Sequence, residues 1–260
     1  MSYLGPHWRR RAFIAGLASI GGAAWSGWPH IAAVFTTPLK FEPLDDPPGF
    51  RRIAGGKTSP GLNFFVGLEG ASEAEQQSIQ KAVSKNLCQA LFNDLPPLGV
   101  VPVAFFTDYN CPYCRVLSEK LREIEANAEE DIRITWHEWP ILGSTSEIAA
   151  RAALAAGMQG AYAAFHRRLM RTRFLPTASF LEKIARDIGI EPRQLNTEMD
   201  SESVLKQLRV TNALAQIFGF IGTPALVVGR TVVTGGSSDD VIRVLIRQER
   251  NDGRPPACKA

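Results

Sequence analysis

The chain lacks an excess of charge of either sign over most of its length. It has 29 basic and 26 acidic residues among 260, and the basic residues Arg9, Arg10 and Arg11 stand in a segment, residues 1–35, that contains no acidic residue. The other 26 basic residues therefore balance the 26 acidic ones. Nucleic-acid binding depends on a field of Lys and Arg side chains, so this balance argues against a nucleic-acid partner.

Cysteine and histidine are also scarce. The residues of these two types are Cys88, Cys111, Cys114, Cys258, His7, His30, His137 and His166. A structural zinc site needs four ligands, whereas the chain has one Cys-x-x-Cys and no paired histidine spacing. The pair Cys111 and Cys114 therefore favours dithiol chemistry and predicts no metal, with a zinc half-site or an inert structural disulfide as the alternatives.

The Cys-x-x-Cys follows an apolar run and opens a segment with helical spacing. The run that ends in Phe105-Phe106-Thr107 predicts a buried strand, and Pro112 suits the first turn of a helix because it has no N–H and a helical φ. Unpaired N–H groups and the helix dipole at that end favour a thiolate on Cys111. We therefore predict that Cys111 is the nucleophile and that Cys114, one turn along and less exposed, is the resolving thiol.

A second signal lies far downstream, where Gly222-Thr223-Pro224 precedes an apolar run over 225–228. Proline cannot donate to a sheet, so Pro224 is expected at a strand start, with its peptide bond in the cis form. Gly229 suits the first central position of a type II′ turn, which predicts a hairpin.

Together, these features resemble the thioredoxin fold and, more closely, the DsbA-like envelope oxidoreductases of bacteria. A strand, Cys-Pro-Tyr-Cys and a helix are followed much later by Gly-Thr-Pro and a hairpin. A long stretch of helical pattern between Gly143 and Phe220 matches the helical insertion of DsbA-like proteins. The resemblance covers roughly residues 98–250 and implies an α/β, thioredoxin-like fold with an insertion at about 144–218.

The resemblance also implies roles for single residues. Cys111 would attack and Cys114 would resolve, while Thr223 and Pro224 would hold an extended substrate segment next to the sulfurs, beside Pro112 and Tyr113 of the motif. It implies no cofactor. The expected partners are cysteine-containing exported proteins and a membrane redox partner that recycles the dithiol.

Two positions depart from the family pattern. Many relatives carry an acidic residue six positions before the nucleophile, where this chain has Phe105, which we expect to be buried beneath Cys114. Asp108 is the nearest acid, and we interpret it as a turn or cap carboxylate. Strongly oxidising relatives have histidine where this chain has Tyr113, so we expect weaker thiolate stabilisation and a less oxidising couple.

The N-terminus has the features of an export signal. Three arginines precede an apolar, Gly- and Ala-rich stretch, and Arg10-Arg11-x-Phe13-Ile14 resembles the twin-arginine motif, although the Sec route would also accept it. An uncleaved membrane anchor is the competing interpretation. Either one predicts a periplasmic location, where disulfides persist. The expected organisation is a signal or anchor over 1–35, an extension and helix over 36–97, the thioredoxin-like domain over 98–250 and a tail over 251–260.

Several smaller predictions follow from local patterns. In the extension, a hairpin is expected around Phe50 to Ile53 and Leu62 to Val66, with no function assigned. A capping box at Ser72 predicts one helix that ends near residues 93–97. Tyr162, Phe165 and His166 have the spacing of a cofactor pocket, but helix-spaced aromatic residues are more often packing, and His137 is expected to be structural or exposed.

Cys88 and Cys258 are expected to form a structural disulfide, with two free thiols as the alternative. For the chain as a whole, the sequence predicts an exported thiol-disulfide oxidoreductase but leaves its direction open. It would form disulfides, or reduce and isomerise them. A protein that binds Cu(I) or zinc without redox catalysis is the alternative from another class. A glutaredoxin-like enzyme is disfavoured by the export signal and the insertion.

Overall fold

The computed structural model describes residues 39–61, 72–127, 131–172, 176–255 and 258. The chain divides into two units, Met1–Lys40 and Phe41–Ala260, and the architecture below is that of the second. The predicted signal or anchor over 1–35 therefore lies outside the described residues. No helix among those that the structure describes is long and apolar enough to cross a membrane.

A six-stranded sheet organises the second unit. Its strands lie in the order β1-β2-β8-β7-β4-β5, and β3 and β6 form a separate two-stranded ladder. The strands are β1 (Glu42–Pro43), β2 (Arg51–Ile53), β3 (Ser59–Pro60), β4 (Val101–Thr107), β5 (Ile132–Glu138), β6 (Gly222–Thr223), β7 (Ala225–Val228) and β8 (Thr231–Thr234). The helices are α1 (Glu73–Lys85), α2 (Leu87–Phe92), α3 (Pro112–Ala126), α4 (Ser144–Met158), α5 (Tyr162–Met170), α6 (Ala178–Ile188), α7 (Pro192–Glu198), α8 (Glu202–Ile217) and α9 (Asp239–Asp252).

Strand β4, which lies between β7 and β5, is buried on both faces because helices cover both sides of the sheet. It pairs in parallel with β5 and antiparallel with β7, and all seven of its residues are buried. Ala104 and Phe106 contribute to one core cluster with residues of α1, α2 and α8. Phe105 points to the opposite face, where its ring meets Trp136 edge-on at 5.4 Å between centroids. The predicted burial of Phe105 is confirmed, since it has no exposed surface.

Two local predictions change in the structure. Ser72 caps α1 as expected, by accepting a hydrogen bond from the Glu75 N–H at 3.2 Å, but the helix stops at Lys85. Asn86 leaves the helical region (φ −124°, ψ 44°), so α1 and α2 are two helices where one was predicted. In the extension, β2 pairs with β1 and β8, while residues 62–66 of the expected hairpin lie outside the described residues.

The helical insertion is present where the sequence places it. Helices α4 to α8 fill residues 144–217 between β5 and β6. After α8, the chain enters Gly222–Thr223, a cis Thr223–Pro224 bond, and the hairpin of β7 and β8. Gly229 has φ +55°, as the predicted hairpin turn requires. This α/β arrangement brings the start of α3 and the loop before β7 to the same end of the sheet.

Candidate active site

The end of β4 places Cys111 at the N-terminus of α3. A turn at Asp108 to Asn110 follows the strand, and the Cys111 N–H donates to the Asp108 carbonyl oxygen at 3.1 Å. Pro112 is the first helical residue, and Cys111 caps the helix, with its sulfur accepting a hydrogen bond from the Cys114 N–H at 3.2 Å. Both cysteines are free thiols, so the structure shows the reduced dithiol.

The loop before cis-Pro224 lies against the same sulfur. The Cys111 thiol donates to the Thr223 carbonyl oxygen at 3.4 Å. The structure therefore brings together Cys111, Cys114, Thr223 and Pro224, although Thr223 is separated from Cys111 by 112 positions in the chain. Pro112 and Tyr113 lie at the rim, and 37% of the Tyr113 surface is exposed.

The two thiols have opposite acidities. The pKa of Cys111 is lowered to about 6, chiefly by the Cys114 thiol and also by the nearby side chains of Thr223 and Ser59. Burial raises the pKa of Cys114 well above its usual value, and the neighbouring Cys111 raises it further. At neutral pH, Cys111 is therefore favoured as a thiolate, whereas Cys114 stays protonated. This is the division of roles expected for an attacking and a resolving cysteine.

The predicted difference between the two thiols is one of depth. Both residues have 0% exposed surface, but Cys114 lies deeper in the protein than Cys111. Cys111 lies beneath the loop of Thr223 and close to the Ser59 side chain, which belongs to the N-terminal extension. The extension, to which no function was assigned, therefore reaches the site.

Asp108 has the turn role that the sequence indicates. Its carboxylate accepts hydrogen bonds from the Asn110 N–H at 2.7 Å, from the Leu142 N–H at 3.0 Å and from the Ser146 hydroxyl at 2.6 Å. Burial raises its pKa. The carboxylate thus ties the turn before Cys111 to the start of the helical insertion.

A buried polar cluster next to α3 was missed by the sequence analysis. Glu138 accepts hydrogen bonds from the Tyr109 and Tyr162 hydroxyls, each at 2.6 Å, and lies 3.3 Å from Nδ1 of His166. On its other side, His166 Nε2 is 3.1 Å from the Ser118 hydroxyl of α3. Burial raises the pKa values of both tyrosines well above their usual value. The spacing of Tyr162 and His166 was visible in the sequence, but their carboxylate partner was not.

The remaining cysteines are joined to each other. Cys88 of α2 and Cys258 form a disulfide with 5.4 Å between their Cα atoms, and Cys258 is buried. The bond links α2 to the C-terminal tail. Within the parts of the chain that the structure describes, no group of three or more His, Cys, Asp or Glu side chains could hold a metal ion.

Comparisons with known proteins agree with this geometry. The family described as "DSBA-like thioredoxin domain" matches residues 102–247. A thioredoxin-like oxidoreductase from Silicibacter pomeroyi DSS-3 is 38% identical, with a TM-score of 0.58 over 63% of this chain and 97% of that one. A periplasmic thioredoxin-like protein from Salmonella enterica serovar Typhimurium is 27% identical, with a TM-score of 0.56 over 64% and 97% of the two chains.

Among curated proteins, a ribonuclease HII from Thermus thermophilus is 30% identical over 108 residues, which are 40% of this chain and 51% of the relative. The chain thus spans about half the length of the curated relatives it matches, a likeness too partial to transfer an activity. The DSBA-like match is broader and spans both cysteines of the dithiol and the cis-proline loop. The chain therefore belongs to the DSBA-like, thioredoxin-fold family of thiol-disulfide oxidoreductases.

Proposed function

We propose that the protein exchanges disulfides with cysteine-containing proteins of the bacterial envelope through Cys111 and Cys114. The observation that carries this proposal is the pair of opposite acidities at one helix end, with a cis-proline loop against the attacking sulfur. A thiolate is the nucleophile in disulfide exchange, and the optimum attacking thiol has a pKa near the ambient pH. Cys111 meets that condition.

In the oxidase direction, a substrate thiolate attacks the sulfur of Cys111 in the Cys111–Cys114 disulfide. The bond between the two enzyme sulfurs breaks, a mixed disulfide forms, and Cys114 leaves as a thiolate that takes up a proton. A second substrate thiolate then attacks the substrate sulfur of the mixed disulfide. The substrate leaves with a disulfide, and Cys111 leaves as a thiolate, so two electrons have passed to the enzyme.

In the reductase direction, the Cys111 thiolate attacks a substrate disulfide, and Cys114 displaces the substrate from the mixed disulfide. The low pKa of Cys111 stabilises the reduced enzyme, which favours oxidation of substrates over their reduction. Net turnover in either direction requires a redox partner that restores the dithiol or the disulfide. A membrane protein is the proposed partner.

The proposed location is the periplasm. The N-terminal arginines and apolar stretch support export, and the relative from Salmonella is named as a periplasmic protein. Exposed apolar side chains next to the dithiol, Val116 on α3 and Ile221 before β6, offer a surface for an unfolded or extended substrate. Thr223 and Pro224 are proposed to hold that substrate, with Pro112 and Tyr113 at its rim.

Trapping of mixed disulfides tests the proposal. Cys114→Ser keeps the nucleophile but removes the group that resolves its adduct, so mixed disulfides with exported proteins should accumulate on non-reducing gels. The matched control, Cys111→Ser, should trap none. Equal adducts from both variants would show that the attacking sulfur is assigned wrongly. Metal retained after purification, together with no adducts and no insulin reduction, would favour the metal-binding alternative.

A further inference from the structure

The N-terminal extension covers the nucleophile. Ser59 and Pro60 of β3 pair antiparallel with Thr223 and Gly222 of β6, on the loop that contacts the Cys111 sulfur. The Ser59 side chain also lies close enough to that sulfur to lower the pKa of Cys111. Since a residue at a helix N-terminus is normally accessible, this added strand helps to explain why Cys111 has no exposed surface.

The extension fits the site closely. A Cβ atom on Gly222 would lie 2.5 Å from the Ser59 carbonyl oxygen, so a glycine is needed where the two backbones meet. A Cβ atom on Gly61 would lie 3.0 Å from side-chain atoms of Ile141. At these two positions the backbones approach so closely that a side chain has little room.

The other end of this segment is fixed to the fold. Arg51 of β2 donates to the buried Glu249 carboxylate at 2.6 Å, and β2 pairs with β8. Next, the Gly56 N–H donates to the Thr234 carbonyl oxygen at 2.9 Å, where a Cβ atom on Gly55 would clash with the same oxygen. We call residues 54–61 the strap. It is held by β8 at one end and by the two-residue ladder of β3 and β6 at the other.

The ladder has the form of a bound peptide. An extended segment that adds a strand to an exposed edge gains its affinity from backbone hydrogen bonds, which any sequence can make. Ser59 stands where it faces the Cys111 sulfur, and serine has the shape of cysteine but carries a hydroxyl that cannot form a disulfide. The strap thus occupies the edge without reacting.

We propose that the strap is an intramolecular substrate mimic, an inference that rests on the proposed function. The strap must leave the Gly222–Thr223 edge before Cys111 can exchange with an external protein. Release needs little rearrangement, because only the short ladder of β3 and β6 has to open, and it involves two residues of each strand. The chain before the strap stays fixed by β2 and by the ion pair of Arg51 with Glu249. Short ladders open at low cost compared with global unfolding. An incoming cysteine would take the position of Ser59.

A cross-link tests the position of the strap. In a Cys114→Ser background, Ser59→Cys should form an intramolecular disulfide with Cys111 in two exchange steps. The Cys111 thiolate first attacks glutathione disulfide and displaces one glutathione thiolate. The new thiolate at position 59 then attacks the Cys111 sulfur and displaces the second glutathione thiolate. The product has one intramolecular disulfide and no bound glutathione, which intact mass and peptide mapping detect. Pro60→Cys is the matched control, since successive strand residues point to opposite faces. It should keep glutathione on Cys111.

Release of the strap is tested by the alkylation rate of Cys111 with iodoacetamide. Gly61→Val should push the strap away from Ile141 and speed alkylation by about tenfold, if the strap of the natural protein is open about a tenth of the time. Lys57→Ala removes an exposed side chain from the strap and should leave the rate unchanged. If Gly61→Val does not fold, the cross-link alone decides.

The two proposals fail in different ways. Trapping of exported proteins by Cys114→Ser without the cross-link at position 59 would overturn the strap and leave the proposed function standing. The cross-link without any trapped protein or insulin reduction would overturn the proposed function and, with it, the role of the strap as a substrate mimic. Equal cross-linking from positions 59 and 60 would also overturn the strap, because it would show a freely moving segment.

Discussion

The reduced protein should gain stability relative to the oxidised protein as the pH rises from 5 to 8. The cause is Cys111, whose pKa in the folded protein is about 6 against an ordinary value of 9.0. A depressed pKa contributes stability that is complete above the unfolded pKa and is lost as the pH falls through the folded pKa. The window of change is therefore pH 6 to 9. The oxidised protein has no thiol at this position and lacks the effect.

The size of the effect follows from the difference between the two pKa values. Linkage gives about 0.1 kcal/mol at pH 5, about 1.4 kcal/mol at pH 7 and about 2.7 kcal/mol at pH 8. Cys114 adds nothing over this range because burial keeps it protonated. At pH 7 the gain makes the couple about 30 mV more oxidising than a dithiol with ordinary pKa values.

Denaturant unfolding of both redox forms at half-unit steps of pH measures the difference directly. The free-energy gap between the forms should change with a slope of about 1.3 kcal/mol per pH unit between pH 7 and 8. The rate of Cys111 alkylation should rise with a midpoint near pH 6. Cys111→Ser cannot form this disulfide and has a single redox form; as the control, its stability should lack the rise between pH 7 and 8. A gap that stays flat between pH 6 and 8, or an alkylation midpoint near 9, would refute the assigned acidity.

Two further predictions concern stability. Phe105→Glu would bury a carboxyl group and lose the ring contact with Trp136, so the free energy of unfolding should fall by about 2–5 kcal/mol, whereas Phe105→Leu should lose less. In folded Phe105→Glu protein, the new carboxyl should accept the Cys114 proton and so speed resolution of the mixed disulfide in stopped-flow experiments. If the stability of this variant were unchanged, the strand alignment would be contradicted. Removing the Cys88–Cys258 bond by a double substitution to alanine frees a loop of 170 positions and should cost about 4–5 kcal/mol in denaturant unfolding. Peptide mapping of unreduced protein should show the linked pair, and two free thiols would disprove the bond.

Much of the fold could be predicted because its signals are local. The run from Val101 to Phe106 is apolar throughout, as a strand covered on both faces requires, and Pro112 marks the helix start just before Cys114. The break between α1 and α2 was not predictable in this way. The apolar spacing continues past Asn86, so it predicts one helix. The break in the backbone at Asn86 depends on tertiary packing, which the spacing of apolar residues does not encode.

The polar cluster around Glu138 shows a second limit. Tyr109 of the turn before α3 and two residues of α5, Tyr162 and His166, surround this carboxylate at 2.6 to 3.3 Å. Taken alone, each of these residues is consistent with a role in core packing, and the sequence analysis interpreted Tyr162 and His166 in that way. Their shared function as partners of one buried carboxylate exists only after β5, α3 and α5 have packed.

The acidity of Cys111 illustrates why the chemistry of the site was harder to predict than its location. The sequence analysis derived thiolate stabilisation from the helix end and expected it to be weaker than in relatives with histidine at the position of Tyr113. In the structure, the groups that lower the Cys111 pKa are Cys114, Thr223 and Ser59. Of these three residues, only Cys114 is close to Cys111 in the sequence. Since Ser59 belongs to the strap, release of the strap would take its side chain away from the sulfur and admit water. The proposed release would therefore change both the acidity of Cys111 and its access to substrate.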